Sequence, residues 1–169
     1  MPRAVSNASP LIHLAKIGRL HLLREFHAQV LAPPAVWREV VERGQAYPET
    51  PIIERAFRDG WLQQKSISDS VLVSLLKLQL DEGEAEAIAL ALQERTEVVL
   101  LDDSQARLMA RRLNLQVTGV VGILIRAKRE AKIVSLKQEI DRLREQGGFW
   151  LAERVVQRAL QAVGENDQI

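Results

Sequence analysis

Short apolar runs alternate along this chain with longer stretches whose leucines, valines and isoleucines return every three or four positions, and that alternation predicts an α/β domain. The first run, Arg3-Ala4-Val5-Ser6-Asn7, reads as a strand, and Ser9-Pro10 after it predicts a helix with serine as its cap and proline in its first turn. That helix carries Leu11, Leu14, Ala15, Leu22 and Leu23 near one face, with a break around Gly18. Gln29-Val30-Leu31-Ala32 predicts a second strand, which Pro33-Pro34 stops while opening a helix with Val36, Trp37, Glu39 and Val40, ended by Gly44. A loop follows over 45–51, then a short amphipathic helix over 52–58 and a minor strand at Trp61-Leu62-Gln63.

Ser68 is expected to cap a helix over 69–80, where Val71, Leu72, Leu75, Leu76 and Leu80 recur at helical spacing, and Gly83 is expected to separate it from a strong helix former over 84–93. Val98-Val99-Leu100-Leu101 is fully apolar, as in the buried strand of a parallel sheet, and Asp102-Asp103 ends it. The pattern continues with a helix over 104–113, a strand at Leu115-Gln116-Val117 ending at Thr118-Gly119, and helices over 120–130, 135–146 and 151–163. The reading is a three-layer α/β/α sandwich with a short parallel sheet of four or five strands. A C-terminal helical extension over 135–169 packs on the domain formed by 1–134.

Composition narrows the chemistry. A length of 169 residues suits one domain, and an apolar fraction of 47% is enough to form a core. The absence of cysteine excludes disulfides, thiolate nucleophiles and cysteine-built metal sites, so a metal would bind through oxygen or histidine. With 23 basic and 22 acidic side chains the net charge is +1, which argues against a broad nucleic-acid-binding surface and leaves room for a local patch. No apolar run reaches the roughly 18 residues of a membrane span, and the N-terminus lacks a signal pattern, so a cytoplasmic protein is expected.

In an open parallel sheet, ligands bind beyond the carboxyl ends of the strands, which gives Asn7, Asp102, Asp103 and Thr118 weight as candidate site residues. Asp103 is equally well explained as a helix cap. In Asp81-Glu82-Gly83-Glu84-Ala85-Glu86 the acids complement a helix dipole, and Asp81 and Glu86 are read as solvated surface. Glu39, one turn into its helix, projects near the side marked as buried by Val36 and Val40. The histidines His13, His21 and His27 read as surface or packing residues, and Trp37 as a core or dimer anchor. Arg107, Arg111, Arg112, Arg126, Lys128, Arg129 and Lys132 make the most basic region, either a solvated face or a path for RNA near the acids.

Four segments together, Asn7 to Ala15, Pro34 to Val40, Gly83 to Ala91 and Leu101 to Arg107, resemble the PIN-domain superfamily, and in particular the prokaryotic branch related to type II toxin–antitoxin ribonuclease toxins. Thr118 to Leu124 and Gly148-Phe149 extend the resemblance over about residues 3–165. It implies that 1–134 is a PIN-like nuclease domain and that acids at the end of the sheet hold Mg²⁺ or Mn²⁺ and hydrolyse RNA phosphodiester bonds. It also implies a small antitoxin partner and a homodimer. Carried over residue by residue, the family pattern implies metal ligands at Asn7, Glu39, Glu84, Asp102 and Asp103, with the four acids catalytic. The family usually has aspartate where this chain has Asn7, whose amide offers an oxygen but no negative charge. The alternative is a catalytically weakened PIN-like module that binds RNA or protein.

Overall fold

Five strands form one all-parallel sheet in the computed structural model, which describes residues 1–165. The end of the expected C-terminal extension, 166–169, lies outside the described residues. The strands are β1 (Arg3–Ser6), β2 (Gln29–Ala32), β3 (Leu62–Gln64), β4 (Val98–Leu100) and β5 (Gln116–Thr118), in the spatial order β3-β2-β1-β4-β5. The helices are α1 (Ala8–Lys16), α2 (His21–Phe26), α3 (Pro34–Trp37), α4 (Thr50–Arg58), α5 (Ser70–Leu76), α6 (Glu82–Glu94), α7 (Ser104–Arg112), α8 (Val120–Arg129), α9 (Leu136–Gly147) and α10 (Glu153–Ala162).

The two-residue period of the strands divides the core into two layers. Ala4, Val30, Ala32, Leu62 and Leu100 face a cluster built by α1, α2, α4, α8, α9 and α10, whereas Val5, Leu31, Val99 and Leu101 face α5, α6 and α7. The last two helices are full members of the first layer, since Leu136, Ile140, Leu143, Val156, Ala159 and Leu160 are all buried in it.

Strand order reverses at β1. From β1 the chain moves outward through β2 to β3, then returns to the other side of β1 for β4 and β5. The helix after β1 packs on one face and the helix after β4 on the other, so a crevice opens between the carboxyl ends of these two strands. Asn7 and Asp102 stand on its two sides.

Several local expectations change. The first helix is capped by Asn7, in extended conformation, and not by Ser9, which lies inside the first turn. The helix opened by Pro33-Pro34 converts after Trp37 into a π-helical turn, Arg38–Glu42, closed by a bond from the Arg43 N–H to the Arg38 carbonyl at 2.8 Å. Asp69, not Ser68, caps α5 through the Leu72 N–H, and α5 is short. Of its apolar positions Leu76 and Leu80 are buried, but Val71 and Leu75 are exposed, because this helix covers only the margin of the second layer. Gly83 does not separate two helices. It lies inside α6, which begins one residue earlier behind the cap Asp81.

Candidate active site

Three elements bring side-chain oxygens to one point. A Cβ built on Gly83, in the first turn of α6, would lie 2.9 Å from Asn7 Oδ1, 3.6 Å from Glu39 Oε2 and 3.7 Å from Asp81 Oδ1. The glycine therefore gives space to an oxygen-lined hollow above the carboxyl ends of β1 and β2. Asn7 is placed there by the strand itself, since its N–H bonds the Leu100 carbonyl at 3.0 Å, and its side chain makes no capping bond to the helix that follows. Glu39 reaches the hollow from the π turn.

Glu84 joins through a reciprocal capping box. The Glu84 N–H donates to Asp81 Oδ1 at 2.8 Å, and the Asp81 N–H donates to Glu84 Oε2 at 3.1 Å. Burial pushes the Glu84 carboxyl above its usual range, the Asp81 amide bond opposes that shift, and the charges of Asp81, Asp103 and Glu39 add to it. Glu39 is exposed as a residue, yet its carboxyl is also raised, first by burial of the group, then by Asp81, with Arg43 acting in the opposite direction. These mutual influences define one electrostatic cluster of Glu39, Asp81, Glu84 and Asp103. Asp103 is exposed and caps α7 through the Ala106 N–H at 2.9 Å, so a capping role and a place at the cluster edge coexist.

Asp102 is held differently. Its Oδ2 accepts from the Ser9 hydroxyl at 2.7 Å and its Oδ1 from the Val120 N–H at 2.8 Å, which ties the end of β4 to the starts of α1 and α8. Arg107 lies beside it, and the Arg107 Nη1 donates to the Leu101 carbonyl at 3.0 Å. Asp102 thus borders the crevice with both oxygens already engaged, while Asn7, Glu39, Asp81 and Glu84 gather on the β1–β2 side. Thr118 ends β5 and contributes its carbonyl to the Leu101 N–H.

Two acids behave otherwise than expected. Glu86 is buried, not solvated: it accepts weakly from the Ala35 N–H at 3.4 Å and lies 3.7 Å from Arg38, bridging α6 to α3. Asp81 is exposed but belongs to the cluster, and the spacing Asp81-x-x-Glu84 was the available signal, since a capping box fixes both side chains at the same helix end. Ser9 was also missed as the partner of Asp102. Arg107, from the basic run, lies beside Asp102, but the later cations of that run turn to other partners. Arg126 stacks over the Phe26 ring at 4.2 Å and pairs with Glu130, Lys128 bonds the Val134 carbonyl at 2.6 Å, Arg129 bonds the Ala162 carbonyl, and Lys132 pairs with Glu25. Those cations hold the helical layer together.

The donor set is all oxygen and suits a hard divalent cation. Among the described residues, however, no three acid or histidine side chains are close enough to hold an ion. The fit is thus to a cation held by one or two carboxylates and the Asn7 amide, keeping much of its own water, as Mg²⁺ commonly does.

An all-parallel α/β/α sheet carries this acidic crevice at its switch point. A family model described as a PIN domain matches residues 3–165, and the chain belongs to that family. No curated protein matches the chain.

Proposed function

We propose that the protein is a divalent-metal-dependent endoribonuclease that hydrolyses RNA phosphodiester bonds in the cytoplasm and is controlled by a small antitoxin protein. The observation that carries this reading is the crowding of Glu39, Asp81, Glu84 and Asp103, with the Asn7 amide oxygen, at the carboxyl edge of the sheet of a PIN domain. Carboxylates that raise one another's proton affinity form a site in which a cation relieves repulsion. When bound, Mg²⁺ or Mn²⁺ would supply charge neutralisation for the phosphate oxygens and a lowered pKa for water.

The chain's own residues then divide the work. Asn7, Glu39 and Glu84 hold the ion. Asp102, fixed by Ser9 and Val120, keeps the second wall of the crevice in place and completes its negative charge. Asp103 adds charge at the rim. A homodimer is part of the proposal, supported by the exposed Val71, Leu75 and Leu78 at i, i+4 and i+7 along α5 and the turn after it.

Two observations favour the second reading, a catalytically weakened module that binds RNA or protein: Asn7 lacks a charge, and Asp102 has both oxygens engaged. The readings separate on incubation of single-stranded RNA with the protein in millimolar Mn²⁺. The nuclease reading requires cleavage that is abolished by chelator and lowered at least a hundredfold in Glu84→Gln. RNA that is bound but left intact in Mn²⁺ supports the module instead.

A further inference from the structure

A cavity of about 390 Å³ begins where the acid cluster ends. Its lining includes Glu39, Arg43 and Tyr47, the pair Lys16 and Glu49, and the apolar Ile12 and Val40. Tyr47 is 59% exposed. The Gly44 carbonyl accepts both the Tyr47 N–H, at 2.9 Å, and the Thr50 hydroxyl. A Cβ on Gly44 would lie 2.7 Å from the Val40 carbonyl and 2.9 Å from Thr50 Oγ1, so no side chain fits at that position. The backbone of the turn is therefore shaped by its own bonds, and Tyr47 stands exposed on it.

Charge points the same way. With a net charge of +1 the chain attracts no polyanion through its overall field, and the cations of α8 are spent on internal contacts. Of the two cations that line the cavity, Lys16 is 4.0 Å from the buried Glu49, itself part of the lining, which leaves Arg43, beside Glu39, to meet a phosphate. One cation and an exposed aromatic side chain, contiguous with a site that would cut a phosphodiester, match one ligand chemistry: a nucleotide whose phosphate meets Arg43 and whose base stacks on the ring.

We infer that this cavity is a nucleotide-binding subsite for single-stranded RNA next to the scissile bond, with Tyr47 as its stacking platform and Arg43 as its phosphate contact. The inference rests on the ribonuclease reading for its substrate, and it makes Tyr47 a positioning residue that acts on affinity and not on the chemical step. Stacking of one base on an aromatic ring corresponds to a factor of about five to a hundred in affinity.

Tyr47 is the chain's single tyrosine, so 3-fluorotyrosine labels this site alone. In chelator, hexauridylate is expected to shift the one fluorine resonance, Arg43→Gln to weaken that binding, and inorganic polyphosphate to leave the resonance near its free position. In Mn²⁺, Tyr47→Ala should raise KM for RNA about fivefold or more with kcat nearly unchanged, and Tyr47→Phe should restore KM. An absent shift, or an equal shift with polyphosphate, overturns the subsite. If RNA is cut and Tyr47→Ala leaves KM unchanged, the subsite fails and the nuclease reading stands. If the fluorine responds to hexauridylate but not to polyphosphate, and no RNA is cut in Mn²⁺, the nuclease reading fails and the subsite stands.

Discussion

Glu84 carries opposing demands on one side chain. Its Oε2 satisfies the Asp81 N–H at the start of α6, while Asp81, Asp103 and Glu39 surround it with like charge. Because its folded-state pKa is raised, the protonated form favours the folded state, and that contribution is present below the usual carboxylate range and lost as pH rises through the raised value. Glutamine keeps a carbonyl oxygen for the Asp81 amide but removes the charge. Without metal, Glu84→Gln should therefore melt higher than the natural chain at pH 7, by about 2–4 °C if about 1 kcal/mol of repulsion is relieved. The difference should vanish near pH 4, and melting curves across pH 4–7 check it. A difference that instead grew toward low pH would mean that the Glu84 charge stabilises the fold.

At the scale of elements, α7 tests whether Asp103 serves structure, chemistry or both. Asparagine caps a helix about as well as aspartate, so Asp103→Asn should leave the melting midpoint within about 1 °C, whereas Asp103→Ala should cost about 1 kcal/mol. If Asp103 supplies charge to the site, both variants should lower Mn²⁺-dependent cleavage, which a quantitative RNA assay on the two would separate from the loss of the cap. Most elements were legible because burial on a sheet leaves a direct trace in sequence. β2 occupies Gln29–Ala32 as its run of apolar residues and the following Pro33-Pro34 indicate, and β4 follows Val98-Val99-Leu100. Features that depend on tertiary partners were not legible. Nothing local distinguishes the π turn at Arg38–Glu42 from a regular helix, and nothing local shows that Ser9 donates its hydroxyl to Asp102, 93 positions further on. Positions 7, 39, 84, 102 and 103 could be nominated by family likeness. Asp81 lies outside that likeness, and its capping-box spacing to Glu84 is the one local trace of its place in the cluster.

For the whole molecule, the sheet's reversal at β1 sets the crevice, and both helical layers meet at its rim. No helix among the described residues is long and apolar enough to cross a membrane. Among the apolar positions left exposed, Val71, Leu75 and Leu78 lie close together in sequence and are 68%, 60% and 79% exposed. A homodimer through that face should appear in light scattering at micromolar concentration and dissociate in Leu75→Glu, with the monomer still folded; a natural chain that is monomeric there removes the dimer from the account. The central claim is the cation site, and the most direct measurement of it is thermal melting of Asn7→Asp and Glu84→Gln in chelator and in millimolar Mn²⁺. A carboxylate at position 7 adds repulsion in the empty site and a stronger ligand in the filled one. Asn7→Asp should therefore melt below the natural chain in chelator and recover that loss in Mn²⁺, while Glu84→Gln melts above it in chelator and gains less from Mn²⁺. Equal responses of both variants to metal and chelator would contradict a cation site at these residues.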